Sequence, residues 1–320
     1  MAEPEMMPEP AGGTRDDRVV PFQIEGAHVR GRLVRMGPAI DRALSGHGYP
    51  APVSRLLGEA LLVATLIGSG LKLRNRFTVQ AQGQGAVSLL VADYRAGGEV
   101  RGYAGFDADA VAAAGPDADP FALLGGGFLA MTIDQGPDTE PYQGIVPIEG
   151  GSLAAAATRY FDQSEQIVTS MRLAVAEAFD RRTAEGAHWR GGGIMLQRLG
   201  KGGEEAKKAL DTEEAAEDWA RAGILLSSVE DVEMIDPDLT PATLLYRLFH
   251  EDGVRVFEES GVAFGCTCSA EKVANVLRLH GQEDLKDMVE EGEIRATCQF
   301  CSALYRFDPA DFLDDREAGA

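Results

Sequence analysis

"FGCTCSAEK" (Phe264–Lys272) and "RATCQFCSALYRF" (Arg295–Phe307) hold every cysteine of this 320-residue chain: Cys266, Cys268, Cys298 and Cys301. No thiol occurs in the first 265 positions, and four fall within the next 36. The arrangement is C-x-C, a spacer of 29 residues, then C-x-x-C. Two close pairs joined by a longer loop bring four thiolates around one tetrahedral Zn2+, and an extended residue between ligands permits the tighter C-x-C bite. Four buried structural cysteines would not explain why none occurs elsewhere. A four-thiolate shell is closed to water and substrate, which argues against hydrolytic zinc catalysis. Thioredoxin-like use of "CQFC" is weak, because Cys301 leads into "SALYRF", which alternates like a strand instead of opening a helix. His280 lies in the spacer and reads as a surface residue beside four better ligands. The four thiols bind something together, react together, or do both.

Outward from this cluster the chain divides by composition. The segment 254–312 opens with the strand-like "VRVFEE" and holds few large apolar residues, so it needs a staple to fold independently. Before it, 197–253 reads as a helical linker, beginning with the charged "GKGGEEAKKALDTEEAAEDWARAG". Glu204 to Asp218 is so charged that only docking against a neighbour would keep it folded, which makes the linker metastable. Later in the linker, "TPATLLYRLFHEDG" has defined ends: Thr240 suits the N-cap, Pro241 suits N1, and Gly253 suits termination. Leu244, Leu245, Leu248 and Phe249 fall on one face of that helix.

Residues 19–196 read as an α+β core domain, β-rich with packed helices. "AHVRGRLVRM" alternates like a strand, a helix begins at Pro38, and a longer apolar helix follows Pro52. "RFTVQAQ", "AVSLLVADY", "EVRGYAGF", "GFLAMTID" and "YQGIVPIE" are short and separated by Gly, Pro and Asp clusters, the pattern of an antiparallel sheet. "SLAAAATRYFDQSEQI" reads as a helix, and "MRLAVAEAF" and "GGIMLQRL" as further strands. The apolar run Leu61–Leu71 is too short to span a bilayer and reads as a buried helix.

Hydrophobic content of 45% and charged content of 25% are those of a soluble globular protein. The 51 acidic against 30 basic residues give a net charge of -21, which repels nucleic-acid phosphates and anionic membranes, although solubility alone accounts for such a balance. Residues 1–18 are acidic, Pro/Gly-rich and lack the regions of a signal peptide, so they read as a disordered tail, with a second short tail at 313–320. A cytoplasmic location follows, where thiols stay reduced, favouring metal ligation or redox chemistry over a permanent disulfide framework. Enzymatic signatures fail. "QAQGQGAV" is followed by a strand and reads as a hairpin turn, and "LGKGG" lacks the spacing and hydroxyl of a P-loop. No G-x-S-x-G or H-E-x-x-H occurs, and His28, His47, His188 and His250 form no local cluster. The chain reads as no enzyme.

"CTCSAEK" followed by "ATCQFCSALYRF" closely resembles the zinc-thiolate module of the thirty-three-kilodalton heat-shock protein family, the redox-switched holdase chaperones. "LLVATLIGSGLK", "YQGIVPIEGGSLAAAATRYFDQSEQI", "GGIMLQRL" and "LLYRLFHEDGVRVFE" resemble family segments in the family's order, so the likeness runs from about Asp17 to Phe312. The resemblance implies a β-rich N-terminal core, a metastable helical linker and a small C-terminal zinc domain. It implies one Zn2+ per chain on Cys266, Cys268, Cys298 and Cys301 in a reduced, inactive form. Oxidation would then give disulfides Cys266–Cys268 and Cys298–Cys301, metal loss and linker unfolding. The active form would hold unfolding or oxidatively damaged client proteins without ATP, with a homodimer expected on oxidation. Two positions depart from the family pattern: neutral Gln299, where an acidic residue or His is often expected, and Ser302, where Gly or Asn is common. Two other functions compete: a constitutive zinc-stabilised interaction protein, and a thiol oxidoreductase at Cys298 and Cys301.

Overall fold

The computed structural model describes residues 16–179, 186–198 and 212–313. In chain order, β1 (Arg18–Ile24) and β2 (Val29–Met36) lead into helices α1 (Pro38–Ser45) and α2 (Ala51–Gly68). Strands β3 (Arg76–Gly83), β4 (Val87–Arg95) and β5 (Glu99–Phe106) precede the short α3 (Ala108–Ala114), then β6 (Gly127–Asp134) and β7 (Tyr142–Pro147). Helix α4 (Leu153–Tyr160) is followed by β8 (Thr169–Phe179) and β9 (Ala187–Arg198). The linker supplies α5 (Glu213–Ser227), α6 (Asp231–Ile235) and α7 (Pro241–Phe249). Short strands β10 (Val254–Val256), β11 (Ser260–Gly261) and β12 (Ala263–Phe264) come next. Helices α8 (Ala270–Leu277) and α9 (Gln282–Asp287) and strands β13 (Val289–Glu290), β14 (Glu293–Thr297) and β15 (Leu304–Phe307) complete the described chain.

Two large sheets enclose α2. The first has the order β10-β1-β2-β9-β8, with β11 also on β1; the second has the order β12-β5-β4-β3-β6-β7. Every pairing is antiparallel except β12 on β5. Helix α2 is apolar except along the side that carries Arg55 and Glu59, and packs Leu56, Leu57, Leu61, Leu62 and Leu66 into one cluster with Val34 and Met36 of β2 and Phe77, Leu90 and Val100 of the second sheet. It is the one helix among the described residues long and apolar enough to cross a membrane, and here it lies inside the protein. The α+β architecture and the strands at "RFTVQAQ" through "YQGIVPIE" follow the alternation of the sequence. The "GQG" turn joins β3 to β4, where Gln84 and Gly85 donate backbone hydrogen bonds to the Leu124 carbonyl at 2.7 and 2.8 Å.

The opposite face of the first sheet carries a second cluster. Ala222, Leu226, Val229, Met234, Leu239, Leu244, Leu245 and Phe249 of the linker bury against Phe22, Ile24, Leu33, Ile194 and Leu196. Phe22 and Phe249 stack with ring centroids 5.8 Å apart. Helix α7 starts as its sequence directs: the Thr240 hydroxyl accepts from the Thr243 N–H at 3.1 Å, with Pro241 at N1. Leu244, Leu245 and Phe249 are buried, while Leu248 packs at the margin. Thr212 caps α5 and a reciprocal Glu230/Glu233 box opens α6. Of the charged stretch Glu204 to Asp218, residues 204–211 lie outside the described residues.

Two placements differ from the reading by composition. The segment 254–264, grouped there with the cysteine module, is built into the core: β10 and β11 pair with β1, and β12 pairs with β5. The reason is that β1 and β5 are edge strands with free backbone groups, which this segment satisfies. Residues 1–15 of the expected tail lie outside the described residues, but Asp16 and Asp17 are structural. Asp17 accepts from the Gly37 N–H (2.9 Å) and the Ala39 N–H (3.1 Å), serving the start of α1, whose own N-cap Gly37 has no side chain to do so.

Candidate metal centre

The two cysteine pairs come from unlike places. Cys266 and Cys268 follow β12 directly, and the Gly265 N–H donates to the Val100 carbonyl of β5 at 3.0 Å, so this pair hangs from the edge of the core sheet. Cys298 and Cys301 sit in the turn between β14 and β15, closed by Ser302 N–H to Cys298 carbonyl and Cys298 N–H to Ala303 carbonyl, both 2.9 Å. Ser302 has φ +57°, a left-handed conformation that costs a residue with a Cβ, which is the physical reason Gly or Asn suits this position.

All four Sγ atoms lie within 4.8 Å of one another, with Cys266 and Cys298 at 3.8 Å and Cys268 and Cys301 at 3.3 Å. No disulfide joins them. A metal–thiolate bond of about 2.3 Å sets the edge of a sulfur tetrahedron at about 3.8 Å, so the donor set and its spacing fit one metal ion. The backbone N–H groups of Cys268 and Ala303 reach the sulfurs of Cys266 and Cys301, and the Tyr305 hydroxyl donates to Cys268 Sγ at 3.0 Å. Burial raises the thiols of Cys266 and Cys301, the latter to about 12. Burial acts on Cys268 in the same sense, but hydrogen bonds from Tyr305 and the other three thiols outweigh it and bring this group down to about 7. Tyr305 is in turn pushed up to about 12, chiefly by donating to Cys268. The site by itself favours a negative charge on Cys268 and disfavours one on Cys266 and Cys301, so a cation bound among the sulfurs is what would hold them deprotonated together.

The core reaches this site through Arg101 of β5. Its Nε bonds the nearly water-free carboxylate of Asp93 at 2.8 Å, and Nη1 donates to the Thr267 hydroxyl at 3.3 Å and reaches Cys266 Sγ at 4.0 Å. The same guanidinium lies over the Phe300 ring, 4.1 Å from its centroid. One arginine therefore touches both cysteine loops. His47, in the α1–α2 connection, donates from Nε2 to the Gln299 carbonyl at 2.9 Å and stacks on Tyr49. Gln299 thus meets the core through its backbone. His280 is exposed and outside the cluster, as the sequence implied. Arg101, His47 and Tyr305 escaped the sequence reading. Tyr305 has a local signal, being a polar-tipped residue in the strand directly after the last cysteine; the other two lie more than 150 residues from the cysteine-loop groups they touch and have none.

The family model described as "HSP33: Hsp33 protein" matches residues 17–308. The chain belongs to the Hsp33 family. Among curated Hsp33 relatives, a protein named "33 kDa chaperonin" from Caulobacter vibrioides is 46% identical over 306 residues, covering 94% of this chain and 97% of the relative. A 33 kDa chaperonin from Pseudomonas fluorescens is 36% identical over 292 residues, covering 91% and 90%. Among solved structures, the 33 kDa chaperonin (heat shock protein 33 homolog) of Thermotoga maritima shares the fold, with a TM-score of 0.72 and 23% identity over 92% of this chain and 96% of that one.

Proposed function

We propose that this Hsp33-family protein is an ATP-independent chaperone switched by oxidation of a Zn2+ site formed by Cys266, Cys268, Cys298 and Cys301. The observation that carries this reading is the origin of the ligands: one pair on the core sheet's edge, the other on a hairpin whose own core is small. Among the described residues of that module the buried apolar cluster is Leu277, Leu285 and Ile294, with Val273, Val289, Phe307, Phe312 and Leu313 packed against it. A structural Zn2+ contributes about 10–16 kcal/mol to such a module, against typical domain stabilities of about 5–15 kcal/mol. Oxidation to Cys266–Cys268 and Cys298–Cys301 disulfides removes all four thiolates at once, and the hairpin module loses its staple. The strip 254–264 connects the site to α7, so its release from β1 and β5 deprives the linker of its nearest support. The apolar face around Phe22, Leu33 and Ile194 then becomes available to unfolded or oxidatively damaged proteins.

The closed shell supports a binding protein in preference to an enzyme, and a reducing cytoplasm would keep the thiols free for the metal. The test is suppression of client aggregation by reduced, zinc-loaded protein and by protein oxidised with peroxide. The expected result is holding by the oxidised form alone, with zinc released and each disulfide within its own pair. Equal holding by both forms would favour a constitutive zinc-stabilised interaction protein. Turnover of dithiol substrates would favour an oxidoreductase. Light scattering on the oxidised protein tests the homodimer.

A further inference from the structure

Arginines of the first sheet hold the linker by its backbone: Arg172 of β8 donates to the Ser227 carbonyl at 3.2 Å and to Asp231 at 3.0 Å, and two more grip the segment around α6. Arg35 of β2 is completely buried, and its hydrogen bonds among the described residues go to carbonyls alone: Glu233 and Met234 at 3.0 Å each, and Leu239. Arg190 of β9 adds a fourth, donating from Nε to the Ile235 carbonyl at 2.7 Å, while its other nitrogens bind Asp16. These carbonyls belong to the end of α6 and the loop after it, where helix carbonyls have no partner of their own. Gly192 stands opposite Arg35 in the sheet, and a Cβ there would lie 2.3 Å from the Met234 carbonyl oxygen. The surface under the linker is therefore shaped for main chain, with the whole Arg35 guanidinium, the Nε of Arg190 and a gap where a side chain would block approach. Around it lie Leu33, Ile194 and Ala174.

Resting on the holdase reading above, we infer that Arg35, Arg190 and Gly192 form a main-chain-reading cleft that, once vacated by the linker, binds client segments through their unpaired backbone carbonyls. The linker loop 233–239 is the occupant in the resting form, and an extended, unfolded polypeptide replaces it in the active form. A buried Arg satisfied by a carboxylate of the sheet would stay neutralised when the linker left. One satisfied by linker carbonyls regains its donors at that moment, in the middle of an apolar face. Folded proteins have few unpaired carbonyls to offer, whereas unfolded chains offer them throughout. The cleft thus supplies discrimination that apolar surface alone does not.

The experiment compares wild type with Arg35→Met, Gly192→Val and Leu226→Ala, measuring binding of a permanently unfolded, carboxymethylated protein and hydrogen exchange of α6 and α7. Leu226 lies on the linker, so Leu226→Ala loosens it and leaves the cleft intact; it should gain client binding while still reduced. Arg35→Met and Gly192→Val should also lose linker protection while reduced, yet bind the client at least about tenfold more weakly than wild type after oxidation. Gly192→Val removes no polar group, so it reports on the cleft even if Arg35→Met fails to fold. Either cleft variant binding as tightly as oxidised wild type overturns the inference, as does unchanged linker protection in Gly192→Val. Oxidised wild type that binds no client removes the chaperone reading itself, and a wild type that binds while the variants match it removes this inference alone.

Discussion

The sandwich around α2 and the module carrying Cys298 and Cys301 are stabilised in opposite ways. The sandwich excludes water from α2 on nearly every side, while the module has a small apolar cluster around Leu277, Leu285 and Ile294 beside four clustered thiols. Apolar burial responds weakly to oxidants; a thiolate shell responds completely. On the proposed function, the contrast lets one chain combine a permanent scaffold with a part that oxidation can release. The linker lies between the extremes: its apolar stripe docks on the first sheet, and α5 to α7 bury one side against it.

The largest effect should come from the thiol shell. Cys298→Ser is expected to bring zinc in the purified protein well below one equivalent and to remove about 10 kcal/mol of binding-linked stability from the module. Elemental analysis and hydrogen exchange would show it, with α8 to β15 unprotected and α2 unchanged. Loss of protection in α2 as well would erase the distinction between the two regions.

Phe249→Ala attacks the intermediate region. Removing a fully buried ring stacked on Phe22 should cost about 3–5 kcal/mol, lowering exchange protection from α5 to α7 and leaving the sandwich protected. Arg101→Met tests the bridge between the regions. It removes the bonds to Asp93 and Thr267 and leaves a buried carboxylate with fewer partners, a loss of about 2 kcal/mol. Zinc should remain bound at one equivalent while peroxide releases it faster, read with a chromogenic chelator.

Glu59 provides a pH-dependent test of the sandwich. Burial, reinforced by Asp119 and Asp231, pushes its carboxyl from 4.5 up to about 7. A folded-state value above the unfolded one means that this contribution is fully present below pH 4.5 and is lost as pH rises through about 7. Glu59→Gln should therefore raise the melting temperature at pH 7.5, by about 1–2 kcal/mol of stability, and flatten its fall over that window. A variant no more stable than wild type at pH 7.5 would contradict the assignment. The smallest effect is at Ser302, where Ser302→Gly relieves a left-handed backbone and should stabilise the zinc-loaded module by about 1 kcal/mol, measured by its resistance to urea.

Much of the site was legible because its signals are short-range. The C-x-C and C-x-x-C pairs mark the four thiols that the fold brings within 4.8 Å of one another, and the caps of α7 at Thr240 and Pro241 are written within four residues of the helix start. The strand "VRVFEE" was legible as a strand but not as a partner of β1, because alternation states that an edge exists and not which edge receives it.

Periodicity or spacing within short segments was enough for the two cysteine pairs, the buried character of α2, the apolar stripe of α7 and the β-rich core. Packing in three dimensions was needed to see that Asp17 serves α1, that Arg35 and Arg190 hold the linker by its carbonyls, and that Arg101 and His47 touch the cysteine loops. A long polar side chain carries no local mark of its partner. Its hydrogen bonds become worth making only where folding has removed water from both groups, and that place is set by how the sheets pack.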